Sequence, residues 1–234
     1  TRNKVKPQIV FNVSGIDIRP EPTVKLLGVT FDESLNFESH ISNLCHKAAN
    51  QTNALKRISN FLDTKGRLNV YNTFINSNFA YCPVVWHSCS AKSADRLENV
   101  NKRALRSVYQ ENEICYRDLL DRADKPMLYV ARKQQIIIHV YKILNDLAPP
   151  FSPDFFKVKT TQYDMRDSYT LVQPLYNTKR YGYNSFMYQG ILLWNSLPLS
   201  IKKSKNLMEF KHKLNNWNGL ICNCGSCFQC KHLT

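Results

Sequence analysis

Residues 41–62 read ISNLCHKAANQTNALKRISNFL and place Ile41, Leu44, Cys45, Ala48, Ala49, Leu55, Ile58 and Leu62 at i, i+3 and i+4 spacing. That is the period of an amphipathic helix, so one long helix is predicted here. Working outward, the same period returns three times downstream. A second helix is predicted after Asp63 or Thr64, either of which can cap it; it buries Leu68, Tyr71, Phe74, Ile75 and Phe79 and stops at Pro83. A third runs from near Ser90 to about Tyr109 with Leu97, Val100, Ala104, Leu105 and Val108 on one side. A fourth has Pro126 in its first turn and continues through Ile136, Ile137, Val140, Tyr141 and Leu144 to Ala148-Pro149-Pro150. Short connections predict antiparallel neighbours, hence a bundle.

Upstream of residue 34 the period is two. Residues 8–13 (QIVFNV) are β-rich, Ser14-Gly15 offers a turn, and Ile16-Asp17-Ile18 alternates before Pro20-Glu21-Pro22 interrupts pairing. Residues 24–31 (VKLLGVTF) form a third strand candidate, in which Gly28 removes a side chain where another backbone or a ligand approaches. Beyond Pro153, residues 163–188 have no helical period and read as loops with short strands. Leu192-Leu193-Trp194 with Ser196-Leu197-Pro198 reads as an aromatic anchor under a turn, and Leu207, Phe210, Leu214 and Trp217 stripe a final short helix. The predicted fold class is therefore mainly α (α+β): a small N-terminal hairpin or three-strand element, an antiparallel helical bundle, and a partly irregular C-terminal region. The predicted boundaries are 1–33, 34–147, 148–217 and a Cys-rich tail at 218–234.

With 234 residues, 43% of them hydrophobic, the chain has material for a packed core. Lys and Arg number 32 against 18 Asp and Glu, a net charge of +14 that favours a polyanionic partner, nucleic acid first. No run approaches 18 apolar residues, and Thr1 opens neither a charged nor an apolar leader. The expectation is an intracellular protein, cytoplasmic or nuclear, with no membrane partner, read as a piece of a longer chain.

Charge position points to the third helix. At 100° per residue, Lys92, Arg96, Arg103 and Arg106 fall within roughly 80° of arc, opposite the apolar side. The stripe spans on the order of 20 Å, enough to follow several phosphates of a duplex. Lys47, Lys56, Arg57, Lys65 and Arg67 extend this surface if the helices pack side by side. Cys45, Cys82, Cys89 and Cys115 are scattered and read as buried thiols, whereas Cys222, Cys224, Cys227 and Cys230 crowd the end, followed by His232. Four thiolates suit a tetrahedral zinc ion, although two pairs across a longer loop are the usual arrangement; a thiol tail and redox chemistry stand as alternatives. Catalytic constellations are missing from the sequence. A two-metal site needs converging carboxylates, and no Asp-Asp pair occurs. Asp118, Asp121 and Asp124 are spaced as on a helix surface beside Arg117 and Arg122, where ion pairing explains them.

The phrase LLGVTFDESLNFESHI, residues 26–41, resembles the region just past the palm in non-LTR (LINE-type) retrotransposon reverse transcriptases of the jockey-like group. The likeness continues at residues 81–86 (YCPVVW), 97–106 (LENVNKRALR), 193–198 (LWNSLP) and 210–214 (FKHKL), and so covers nearly the whole chain. In that family the Leu-Gly strand belongs to the primer grip and the helices after it form a thumb on the template–primer duplex. The resemblance implies that Leu27 and Gly28 let the backbone approach the primer, and that the Lys92, Arg96, Arg103 and Arg106 stripe lies on an RNA–DNA or DNA duplex. It implies no polymerisation by this chain alone, because the family's Tyr/Phe-x-Asp-Asp motif does not occur in it; magnesium is expected only in the palm. Two other readings stand beside it: a zinc-dependent nucleic-acid adaptor, and a decayed element fragment serving as an interaction scaffold.

Overall fold

Residues 10–159 and 169–221 are described in a computed structural model of the chain. The period of residues 41–62 is realised as α1 (Glu38–Ile58), which buries Ile41, Leu44, Cys45, Ala48 and Leu55. Ile58, counted on the apolar face from the sequence, is exposed, because the helix tightens into a 3₁₀ turn over Ser59–Phe61. The start of α1 is set by Asp32, whose carboxylate accepts from the backbone N–H of Ser34, Asn36 and Phe37 at 3.1, 3.2 and 2.6 Å. One side chain thus satisfies three donors where strand gives way to helix.

Downstream, α2 (Thr64–Val70) and α3 (Ser77–Ala80) are joined by a π-helical segment, Tyr71–Asn76, and act as one rod. Of the two capping candidates, Asp63 is the N-cap and accepts from Gly66 N at 2.8 Å. The wider turn explains a departure from the sequence pattern. Tyr71, Ile75 and Phe79 recur at strict fours and are buried, while Phe74 is turned out to solvent.

The third predicted helix is α4 (Ala91–Tyr109), capped by Ser90 Oγ, which accepts from Ser93 N. The rod runs antiparallel to both long helices: Arg67 meets Val108 and Tyr71 meets Asn101 on α4, and Asn78 meets Gln51 on α1. With this return stroke between them, α1 and α4 lie parallel, Ser42 beside Arg96 and Ser59 beside Gln110. Consecutive strokes are antiparallel, as loop length predicts, and α1 and α4 are parallel because one stroke separates them in the chain.

Residues 116–122 form α5 (Tyr116–Arg122), and α6 (Leu128–Leu144) follows. Pro126 lies before the N-cap Met127 instead of within the first turn. Among Asp118, Asp121, Asp124 and their arginine neighbours, the ion pair formed is between Arg122 and Glu111, at 2.7 Å. The first turn of α6 is held by α4: Glu98, fully buried, accepts from Tyr129 N at 2.8 Å, Leu128 N at 3.3 Å and the Tyr116 hydroxyl at 2.8 Å. Tyr116 in turn receives Asn101 Nδ2, and Asn101 Oδ1 receives the Tyr71 hydroxyl, both at 2.7 Å. A polar chain therefore ties the rod, α4, α5 and α6 through the core with every link paired.

The C-terminal region is more regular than its sequence suggests. Residues 186–195 form α7 (Phe186–Asn195), capped by Ser185, and are followed by α8 (Leu199–Lys202) and α9 (Leu207–Asn215). Phe210 of α9 stacks on Tyr141 at 4.0 Å and lies 6.1 Å from Trp194, which seals α6, α7 and α9 together. In the LWNSLP stretch, Trp194 Nε1 donates to Tyr169 O at 2.8 Å, and the Asn195 carboxamide both donates to Leu171 O (3.0 Å) and accepts from Leu171 N (2.9 Å). These bonds pin an irregular strand to the helical layer.

At the N-terminal end the expected hairpin is present as β1 (Phe11–Val13) and β2 (Ile16–Ile18), turning at Ser14-Gly15. The expected single strand over residues 24–31 is not. It divides into β3 (Thr23–Leu26) and β4 (Val29–Asp32), paired antiparallel about Leu27-Gly28, whose φ values are +46° and +85°. Two consecutive positive φ values make a two-residue type I′ turn, and glycine in the second place is its sequence mark. The described residues hold two separate hairpins in place of one three-strand sheet. The whole is mainly α with a small β element, as the sequence predicts.

Candidate nucleic-acid interface

The amphipathic pattern of α4 sorts its side chains as expected, with Leu97, Val100, Ala104, Leu105 and Val108 buried. The four cations of the stripe are not equivalent. Lys92 and Arg103 are exposed. Arg96 is half-buried and donates to Ser42 Oγ at 3.2 Å, while Arg106 is half-buried, donates to Ile114 O at 3.4 Å, and leaves its Nε buried without a partner. The stripe is thus two exposed charges, one that braces α1 against α4 through Ser42, and one that holds the loop after α4 through Ile114.

Parallel packing of α1 against α4 opens a cleft of about 570 Å³ between their C-terminal halves. Lys56 of α1 enters it beside Arg103 and Arg106, with the hydroxyls of Thr52, Ser59 and Ser107 behind. No carboxylate lines it. On α1 the sole acid is Glu38 at the first position, and of the two acids on α4, Glu98 is buried on the far side against α6. The positive field here is therefore uncompensated within the cleft. Beneath the stripe, burial pushes the Cys45 thiol pKa up, and the charges of Arg96 and Arg103 offset part of that rise.

A second cleft, about 560 Å³, lies where the β3–β4 turn meets α1 and α3, and includes Lys25, Gly28, His40, Lys47 and Tyr81. Gly28 is a point of close approach, and within this chain the approaching group is Tyr81: a Cβ on Gly28 would stand 3.5 Å from its ring. The Tyr81 hydroxyl donates to Leu27 O at 2.6 Å, and the Leu27 side chain is 82% exposed. Burial lowers the pKa of His40, whose Nδ1 accepts from Thr30 N at 3.4 Å.

Comparison of the chain with protein-family models, curated proteins and solved structures gives no match.

Of the cations expected to extend the surface, Lys47, Lys56, Arg57 and Lys65 are exposed and Arg67 is not. Arg67 is 8% exposed and donates to Val108 O, Ser59 O, Leu62 O and Thr64 Oγ1. It closes the last turn of α4, where carbonyls have no helical partner, and ties it to the 3₁₀ turn and loop that follow α1. Its assignment to the binding surface is corrected accordingly. Arg132 is likewise buried, under the rings of Trp86 (5.4 Å) and Tyr129 (5.8 Å). Nothing in the local sequence separates these two arginines from the exposed ones, because both sit at polar positions of helical patterns.

Of the scattered cysteines, Cys45 is buried as expected, whereas Cys82 is exposed. Cys222, Cys224, Cys227 and Cys230, with His232, lie outside the described residues. Among the described residues no group of three or more His, Cys, Asp or Glu side chains could hold a metal ion. Within the same residues no helix is long and apolar enough to cross a membrane.

Proposed function

We propose that this chain is the nucleic-acid-gripping C-terminal segment of a LINE-type reverse transcriptase, with α1 and α4 as its contact face. The observation that carries the reading is the cleft between the two parallel helices, which gathers Lys56, Arg103 and Arg106 and admits no carboxylate. The sequence likeness at residues 26–41 and 97–106 supports the same assignment. Cations in such an array contact phosphates, which fixes position and orientation without reading sequence. The chain's contribution to the parent reaction is then orientation: a held duplex keeps a primer terminus aligned with chemistry carried elsewhere in the enzyme.

The test is duplex binding as a function of salt. Each phosphate contact contributes a slope of about −0.9 to log K against log salt for B-DNA, so a triple Lys56→Ala, Lys92→Ala, Arg103→Ala variant should flatten it by about two to three units. These three positions are exposed, so the fold should survive the exchange. An unchanged slope in a folded variant removes the α1–α4 face from the site.

A further inference from the structure

The α1–α4 cleft has room for more than a phosphate. A duplex offers a convex backbone with its Watson–Crick edges paired inside, and phosphate contacts alone fix a protein's position on it. The cleft's volume, about 570 Å³, falls within the roughly 300–1,000 Å³ of pockets that enclose small molecules. Its walls also carry more than charge. Asn53 of α1, Asn60 of the 3₁₀ turn, Gln110 at the end of α4 and Asn112 beyond it bring four carboxamides around the three cations. Each offers both a donor and an acceptor.

These groups are poorly used within the chain. Gln110 Nε2 reaches Ser59 Oγ and Asn60 Oδ1 at 3.4 Å each, the outer limit of a hydrogen bond. Arg106 Nη2 reaches Ile114 O at 3.4 Å, and its buried Nε has no partner. A group that replaced these long contacts with short ones would recover binding energy that the free protein forgoes.

We infer that the cleft receives a single unpaired nucleotide, its phosphate on Lys56, Arg103 and Arg106 and its base on the surrounding carboxamides. This rests on the nucleic-acid reading above and names the part of the ligand that enters. An unpaired base exposes its Watson–Crick edge as well as its groove edges, whereas pairing inside a helix occupies the former. Carboxamides match the paired donor and acceptor of adenine, so adenine is the base of choice.

The experiment titrates the full chain with adenosine 5′-monophosphate and, separately, with inorganic phosphate, by calorimetry and by the side-chain amide signals of Asn53 and Asn112. The nucleotide should bind roughly tenfold or more tighter than phosphate, and those amide signals should move with the nucleotide. Asn53→Ala and Asn112→Ala should reduce that preference roughly fivefold or more while leaving phosphate affinity in place. Arg103→Ala and Asn112→Asp should weaken both ligands, one by removing a cation and the other by adding a carboxylate of similar size. Equal affinity for the two ligands, or a preference that survives both asparagine changes, overturns the inference. So does binding of duplex with no binding of either small ligand, which leaves the α1–α4 grip standing. Loss of duplex binding as well sinks both.

Discussion

Replacing Glu98 tests the internal frame on which the candidate face is built. Its carboxylate is fully buried and accepts three donors: the Tyr116 hydroxyl and the backbone N–H groups of Leu128 and Tyr129 in the first turn of α6. In Glu98→Ala all three lose their acceptor, and each buried donor left unpaired costs about 1–3 kcal/mol. Water entering the new space and relaxation of α6 recover part, so the expected loss is about 3–5 kcal/mol. Set against a total of about 5–15 kcal/mol for a folded domain, that is a large fraction. Glu98→Gln keeps one acceptor oxygen but turns an amide NH₂ toward a donor, and should cost about 1–3 kcal/mol.

Urea unfolding followed by far-UV circular dichroism at pH 7 measures both. The pH dependence adds a signed check. Burial pushes the Glu98 pKa up, against bonds from Tyr116 and the α6 backbone and the charge of Arg132 that lower it. The folded state therefore holds this proton more tightly than the unfolded one. Its contribution is full below the ordinary glutamate pKa and declines as pH rises from there through the raised folded value. The stability gap between the native chain and Glu98→Gln, which lacks the titration, should widen as pH falls across that window. A cost below about 1 kcal/mol for Glu98→Ala would refute the capping role, whereas a gap that narrows on acidification would refute the dominance of burial over the hydrogen bonds in setting this proton's affinity.

Two further predictions follow from the same geometry. Arg67→Lys should destabilise by about 2–4 kcal/mol in urea unfolding, because an ammonium cannot serve the carbonyls of Val108, Ser59 and Leu62 and Thr64 Oγ1 with one planar fork; below the melting range its duplex affinity should match that of the native chain, since the guanidinium is buried. Leu27→Asn should raise stability by a few tenths to about 1 kcal/mol, since Asn-Gly is the favoured type I′ pair and the exposed Leu27 side chain forfeits no burial; a lower melting temperature would show that the turn depends on leucine itself.

Much of this protein is legible without coordinates. The helical period around residues 41–62 and 91–109 depends on which side chains recur every third or fourth place, a local property that one burial direction converts into a helix. The caps Asp63 and Ser90, the stop at Pro83 and the turn at Ser14-Gly15 are local in the same sense. The division of residues 24–31 into two strands was also written locally, in Gly28, but leucine ahead of it disguised the turn because non-glycine residues seldom take positive φ.

What only the tertiary structure decided is non-local. Arg67, Arg96, Arg103 and Arg106 carry the same side chain, and their spacing cannot say which one meets orphan carbonyls and which one meets solvent. Glu98 looks like an ordinary surface acid until α6 arrives to place two N–H groups on its carboxylate. The cleft itself exists because α1 and α4 lie parallel with the 64–80 rod returning between them, an arrangement set by packing between distant segments and not by any run of residues. Sequence period fixes which face of a helix is apolar. Which cations converge on that helix's other face is fixed by how the helices dock.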